Sequence, residues 1–244
     1  GRETPYGMSV DENVLPELIQ KLADTSDYRS RRKEIDDRNG QSARFRKGIA
    51  LTPVKFGISF TASFLNQAGA LLNVYKDGSV SINHGGTEMG QGLFTKVAQV
   101  AARSFQVDID RIKITATHTG KVPNTSATAA SSGSDLNGMA TADACAKIKK
   151  RLQNFAAERW QTSPDEVEFC PGRVQVGRDT ISFDELIGEA YQARVPLSAT
   201  GFYATPKINW DKAQAKGRPF FYFAYGAAVT EVAIDTLTGE NRML

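Results

Sequence analysis

The run His84-Gly85-Gly86-Thr87-Glu88-Met89-Gly90-Gln91-Gly92 places four glycines between a segment of strand character and a segment of helical character. Glycine lets the backbone approach closely, and a helix start offers N–H groups without intrahelical partners at the positive end of its dipole. Such a turn suits a phosphate or another anionic, hydrogen-bond-rich ligand, and it suits a tight structural turn equally well. No Gly-Lys-Ser/Thr follows, so this is not a Walker loop, and the Gly-x-Gly-x-x-Gly spacing of the dinucleotide fingerprint is absent. A second stretch, Val122 to Gly138, has no large aromatic and no charge before Asp135. It reads either as a flexible linker or as a bed of small side chains, hydroxyls and N–H groups against which a ligand can lie. Apolar residues at helical spacing resume at Cys145, Ile148, Leu152, Phe155 and Ala156, which bounds the run. Two small-residue loops, each leading into a helix, predict one shared cleft.

Other residues capable of chemistry are few. Glu88 and Asp135 could pair for acid–base work. His84 and His118 are the only histidines and are too far apart in sequence to form a metal-ligand motif, which favours structural or surface roles. Two cysteines exclude a disulfide framework. Cys145 falls at an apolar helical position as a small core residue, and Cys170 sits at a strand end or turn. Neither has the neighbours that an iron–sulfur or zinc site requires.

The elements that must position these loops follow from periodicity. Leu72, Val74, Val80 and Ile82 alternate with polar residues around Asp77-Gly78, a hairpin pattern. Strands are expected near 48–61, 68–76, 79–84, 111–118, 197–204 and 219–235. Helices are expected near 92–105, 137–160 and 183–193, the last behind the capping box Ser182-Phe183-Asp184-Glu185. An N-terminal helix is expected from Glu12 to Asp24, with Pro16 in its first turn, and Asp36 to Gly40 reads as a helix end and linker. The expected class is α+β: a mixed sheet of hairpins with amphipathic helices packed on it. Two parts are expected, an N-terminal helical and linker segment over 1–47 and the main α+β domain over 48–244.

The chain has 244 residues, enough to bury a sizeable core, and a formal net charge of +3. That small, dispersed charge gives no case for nucleic acid or a membrane surface as partner. Arg29, Arg31, Arg32 and Lys33 are followed at once by Glu34, Asp36 and Asp37, the pattern of a solvated helix face. No transmembrane-length apolar run or signal-peptide core is present, so the cytoplasm is the expected location.

Several long segments, in order, resemble the molybdenum-binding subunit of the xanthine dehydrogenase (xanthine oxidase, or molybdenum hydroxylase) family. They are Lys55 to Phe60, Phe64 to Ala70, the Gly-rich loop from His84 to Lys96, the 122–138 loop, Leu197 to Tyr203, and Tyr222 to Gly226. Residues 1–47 match more loosely, through Thr4 to Met8 and Arg31 to Lys33.

The resemblance implies a molybdopterin-binding domain that holds a molybdenum–molybdopterin cofactor, with iron–sulfur clusters and FAD carried by other domains or subunits. It implies that Gly90, Gln91, Ala129, Ala130 and Ser131 contact the cofactor, with Ala130 in the environment of the molybdenum. It implies that Phe60 stacks on a flat heteroaromatic substrate and that Thr61 hydrogen-bonds it. From pattern alone Phe60 reads as a core residue of an apolar strand face shared with Phe56 and Ile58. Ser126 and Ser134 are weaker candidates for cofactor contact.

The family's arginine-bearing Phe-Arg-Gly-Phe-Gly-type motif and its catalytic glutamate in Gly-Glu-Pro-Pro do not occur in this sequence. The resemblance therefore implies a fragment of the subunit, inactive alone, and lowers the claim of Glu88 and Asp135 to acid–base work. The implied activity is hydroxylation of hypoxanthine and xanthine toward urate, with the iron–sulfur/FAD part of the enzyme as partner. A sister molybdenum hydroxylase acting on an aldehyde or another N-heterocycle, and a non-catalytic binding or assembly module, remain as alternatives.

Overall fold

The structure, a computed structural model, describes residues 2–41 and 44–244. Gly1, Ser42 and Ala43, which belong to the segment 1–47 delimited from sequence, lie outside the described residues. In chain order the elements begin with α1 (Leu15–Thr25), α2 (Tyr28–Gln41), β1 (Phe45–Ile58), β2 (Gln67–Val74) and β3 (Val80–His84). There follow α3 (Leu93–Phe105), β4 (Ile112–Ile114), α4 (Gly133–Trp160), β5 (Val167–Cys170), β6 (Arg173–Val176), β7 (Asp179–Ser182) and α5 (Phe183–Gln192). The chain closes with β8 (Ser198–Ala204), β9 (Asn209–Asp211), β10 (Lys216–Arg218), β11 (Tyr222–Asp235) and β12 (Asn241–Met243). Helices packed on several small sheets make the α+β class expected from sequence. Two compact units form, Gly1–Ile58 with Trp210–Leu244, and Ser59–Asn209. The sequence boundary at residue 47 falls inside β1.

In the first unit β1 and β11 pair antiparallel along their whole length, from Phe45↔Asp235 to Ile58↔Tyr222. β12 adds to β11 at Val232↔Met243. α1 starts at Leu15, three residues after the expected Glu12, and Pro16 lies as expected in a first turn that needs no donor. α2 is the unexpected element. The residues Asp36 to Gly40, read from sequence as a helix end and linker, lie inside it. Its only buried residue is Ile35, so it lacks the apolar stripe by which an amphipathic helix is recognised. Charge anchors it instead: Arg31 pairs with the buried Glu231 of β11, which Lys47 of β1 also contacts at 2.9 Å. Hydrogen bonds from Lys47 and Arg31 hold the Glu231 carboxyl below the usual carboxylate range.

In the second unit a mixed sheet has the order β4-β3-β2-β8. β2 and β3 form the expected hairpin around Asp77-Gly78, with Val74 opposite Val80 and the Ser79 N–H donating to Asp77 at 3.0 Å. α4 packs against β2 and β8, and α3 packs against α4. Leu72, Ile82, Val97, Ile148, Leu152 and Leu186 are fully buried in the resulting core, together with Cys145. Burying that much aliphatic surface is the main favourable term for this unit. β5, β6 and β7 form a small meander, too short to stand out as periodic segments in the sequence. Ser182 and Glu185 cap α5 reciprocally, as predicted.

Two expectations near the site need correction. The strand expected over 48–61 ends at Ile58, because Ser59 has a φ of 126° and turns the chain out of the ladder. Phe60 is therefore not a residue of that strand and does not extend the alternation of Phe56 and Ile58. The strand expected over 111–118 is only Ile112–Ile114.

Candidate functional site

The Gly-rich turn bridges β3 and α3, and its glycines do two different jobs. A Cβ on Gly85 would overlap the Thr125 side chain, and one on Gly86 would overlap the Asn137 amide and Leu93. These glycines admit other parts of the protein, not a ligand. Gly90 and Gly92 have φ values of 98° and 75° with open space around them, so they are there for the turn itself.

The anion-binding capacity of this helix start is already used within the chain. The Glu88 carboxylate accepts from the N–H groups of Gly90 and Gly92, both at 2.9 Å, and of Phe94 at 3.0 Å. Those backbone donors, Phe94 foremost, hold its carboxyl below the usual carboxylate range. Glu88 is thus a helix-terminus brace rather than half of an acid–base pair. Gln91 closes the same turn: its Oε1 accepts from Met89 N–H at 2.6 Å and its Nε2 donates to Thr87 O at 2.9 Å. One N–H and one lone pair of the amide remain for a ligand.

The second loop folds back against the first. Thr87 N–H donates to Thr128 Oγ1 at 2.9 Å. Between them lies a cleft of about 440 Å³. Gln91 and Lys96 line one side, and Ala129, Ala130, Ser131 and Ser134 line the other. Gly90 sits in the turn between the lining residues Met89 and Gln91. Ser126 is turned away from this role, its hydroxyl donating to Leu65 O.

The wall of small residues is conformationally strained. Ala130 and Ser131 have φ values of 53° and 52°, a left-handed conformation that costs L-residues about 1–2 kcal/mol each. Ser59, also at positive φ, donates its N–H to Ala130 O at 3.4 Å. Strained residues of this kind cluster at ligand clamps because surrounding structure must hold them. Phe60 and Thr61 follow directly. They do not line the cleft itself but sit on the segment tied to its wall. Phe60 is half-buried, its N–H donating to Asn66 Oδ1 at 2.7 Å and its carbonyl accepting from Asn66 Nδ2 at 2.9 Å.

The donor set fits a phosphorylated pterin. Ser132, at the start of α4, gives the helix no side-chain cap, because its hydroxyl donates back to Ala129 O at 3.0 Å. The first-turn residues Gly133 and Ser134 therefore reach the cleft with helix-start N–H groups available. The Lys96 ammonium and the hydroxyls of Ser131 and Ser134 add charge and donors, while the alanines leave volume. Lys96 and the α4 start were not singled out from sequence, where a serine before a helix reads as an ordinary cap.

The histidines behave as the sequence suggests. His118 is exposed, its Nδ1 accepting from Gly120 N–H at 3.2 Å. His84 is 1% exposed, and burial pushes its pKa down to about 4. Burial likewise pushes the Cys145 thiol up to about 12, which leaves it an inert core group. Among the described residues no helix is long and apolar enough to cross a membrane.

Comparison with known proteins identifies the family and the fold. Residues 21–244 match the family model described as molybdopterin cofactor-binding domain. The chain is 42% identical to mouse xanthine dehydrogenase/oxidase over 244 residues, all of this chain and 17% of that protein. It is 45% identical to rice xanthine dehydrogenase over 235 residues, 96% of this chain and 16% of that protein. The chain thus spans about a sixth of the length of these curated relatives. Quinoline 2-oxidoreductase from Pseudomonas putida 86 has the same fold, with a TM-score of 0.81 at 18% identity over 99% of this chain and 31% of that one. The chain belongs to the molybdopterin cofactor-binding domain family.

Proposed function

We propose that this chain is part of a xanthine dehydrogenase that hydroxylates hypoxanthine and xanthine toward urate, and that it forms one side of the cofactor and substrate site. The observation that supports this most is the convergence of the Gly-rich turn and the small-residue loop on one cleft, with the Phe60 segment tied to its wall through Ser59 and Ala130. When bound, the molybdenum cofactor supplies the oxidising centre. Gly90, Gln91 and Ser131 hold the pterin. Ala129 and Ala130 keep the space beside the molybdenum free of side chains. The face of Phe60 fixes the plane of the purine, and the Thr61 hydroxyl fixes its rotation by a hydrogen bond.

None of the residues lining the cleft is a carboxylate, and the nearby Glu88 is a weakened base because three backbone N–H groups take its lone pairs and lower its pKa. The family resemblance assigns the base, and the arginine that grips xanthine, to motifs not contained in this sequence. Iron–sulfur and FAD domains of the same enzyme are the proposed electron acceptors. The isolated chain is accordingly proposed to be inactive.

The test is steady-state oxidation by the whole enzyme with xanthine, hypoxanthine, benzaldehyde and quinoline, beside the isolated chain. The expected result is the largest kcat/KM for the purines and no turnover by the chain alone. Oxidation of the aldehyde or of quinoline without purine turnover would assign the chain to a sister hydroxylase instead.

A further inference from the structure

His84 lies at the end of β3, fully buried, and takes no part in the chemistry proposed above. Its Nδ1 accepts from Gly86 N–H at 3.0 Å. An imidazole nitrogen that accepts is unprotonated, so the ring proton of the neutral form is on Nε2. Phe94 packs edge-to-face against the ring, with centroids 5.3 Å apart and planes at 89°, which fixes its orientation. Nε2 is buried, and so is Asn137 Oδ1; neither has a hydrogen bond of normal geometry. The Asn137 side chain is nevertheless close enough to the ring to oppose the effect of burial on its protonation. The other half of that amide is engaged, with Nδ2 donating to Gly133 O at 2.8 Å. Gly86 leaves room for Asn137, since a Cβ there would strike Nδ2.

The Nε2 donor and the Oδ1 acceptor are thus both buried and unbonded, on two side chains that adjoin Gly86, between the Gly-rich turn and the start of α4. Leaving both unpaired costs the desolvation of two polar groups, and pairing them removes that cost. We propose that His84 and Asn137 form a positioning pair for the cofactor cleft, an Nε2–H imidazole bonded to Asn137 Oδ1 that locks the Gly85–Gly86 turn to the first turn of α4. Gly133 O, held by Asn137, lies one residue from Ser134 and two from Ser131, both of which line the cleft. The pair reaches the cofactor only through these backbone segments. This proposal rests on the cleft being the cofactor site.

The test is a double-mutant cycle on the purified holoenzyme with His84→Phe, Asn137→Leu and the double variant. The readouts are the half-life of pterin release, followed by fluorescence, and the Tm. Each single change is expected to shorten retention about tenfold, and the double change no more than either alone, the signature of coupled residues. Losses that multiply, or a lowered Tm with unchanged retention in the folded fraction, would overturn the pairing. His84→Gln, which keeps a side-chain N–H donor, is expected to retain pterin within about threefold of wild type, roughly 0.6 kcal/mol. If His84→Phe does not fold, retention by His84→Gln as short as that of Asn137→Leu overturns the proposal. Ser131→Asp separates the two levels. If it keeps its pterin, the cleft assignment fails; if it loses pterin while the His84 and Asn137 variants do not, only the positioning pair fails.

Discussion

The Ser59 N–H donates to the Ala130 carbonyl at 3.4 Å, and both residues hold positive φ values. Two strained backbone positions therefore support each other where the segment bearing Phe60 meets the wall of small residues. The kinetic roles proposed for Phe60 and Ala130 depend on this junction.

Phe60→Ala in the whole enzyme is expected to lower kcat and raise KM together, a loss of about 2–3 kcal/mol in kcat/KM if stacking and burial go at once. Phe60 lies outside both buried core clusters, so the Tm should change little. Steady-state kinetics and thermal melts on the same preparation decide the matter. An unstable variant with normal kinetics would make Phe60 a packing residue.

Ala130→Leu is expected to abolish turnover by filling space beside the bound cofactor while the protein still folds, because the position lines a cleft and not the core. Circular dichroism and activity on the same sample test this. Near-wild-type kcat with leucine in place would show that the cleft is not where substrate and cofactor meet.

Glu88→Gln should loosen the start of α3 without removing a catalytic group. An amide can accept from only part of the three N–H groups that the carboxylate serves. Faster amide hydrogen exchange at Gly90, Gly92 and Phe94, with purine kcat within about threefold of wild type, is the expected pair of results. Loss of the pH-rate optimum together with activity would instead assign Glu88 a proton-transfer role.

Stability should depend on pH through His84. Its folded-state pKa of about 4 lies below the unfolded value of 6.5, so only the unfolded chain takes up this proton between those limits. The contribution is complete above about pH 6.5 and falls by roughly 3 kcal/mol as pH drops toward 4. Denaturant melts across that range should show the loss in wild type and a shallower slope in His84→Gln. Equal slopes would place the acid sensitivity elsewhere.

Much of this was readable in the sequence because it is carried by periodicity and turn chemistry. The hairpin of β2 and β3, the apolar faces of α3 and α5 and the α5 capping box are all local signals. The convergence of two small-residue loops followed from composition and from their helical sequels. What stayed hidden depends on partners distant in sequence. α2 has almost no apolar face and is held by Glu231, far along the chain. The end of β1 is set by the backbone of Ser59, and serine carries no signal for positive φ. The meander of β5 to β7 has strands too short for alternation to show. The division of the loop glycines between packing and turning, and the capture of the α3 start by Glu88, required the folded contacts.

The most direct measurement is the molybdenum and pterin content of Ser131→Asp and Ser131→Asn, purified side by side from the whole enzyme. The two side chains are nearly isosteric and both tolerate the left-handed conformation of position 131, so only charge separates them. A carboxylate in the cleft should repel an anionic cofactor held by the α4 start and Lys96. The expected result is a folded Asp variant nearly free of molybdenum and pterin beside an Asn variant that retains both. Full cofactor content in the Asp variant would contradict the assignment of this cleft as the molybdopterin site.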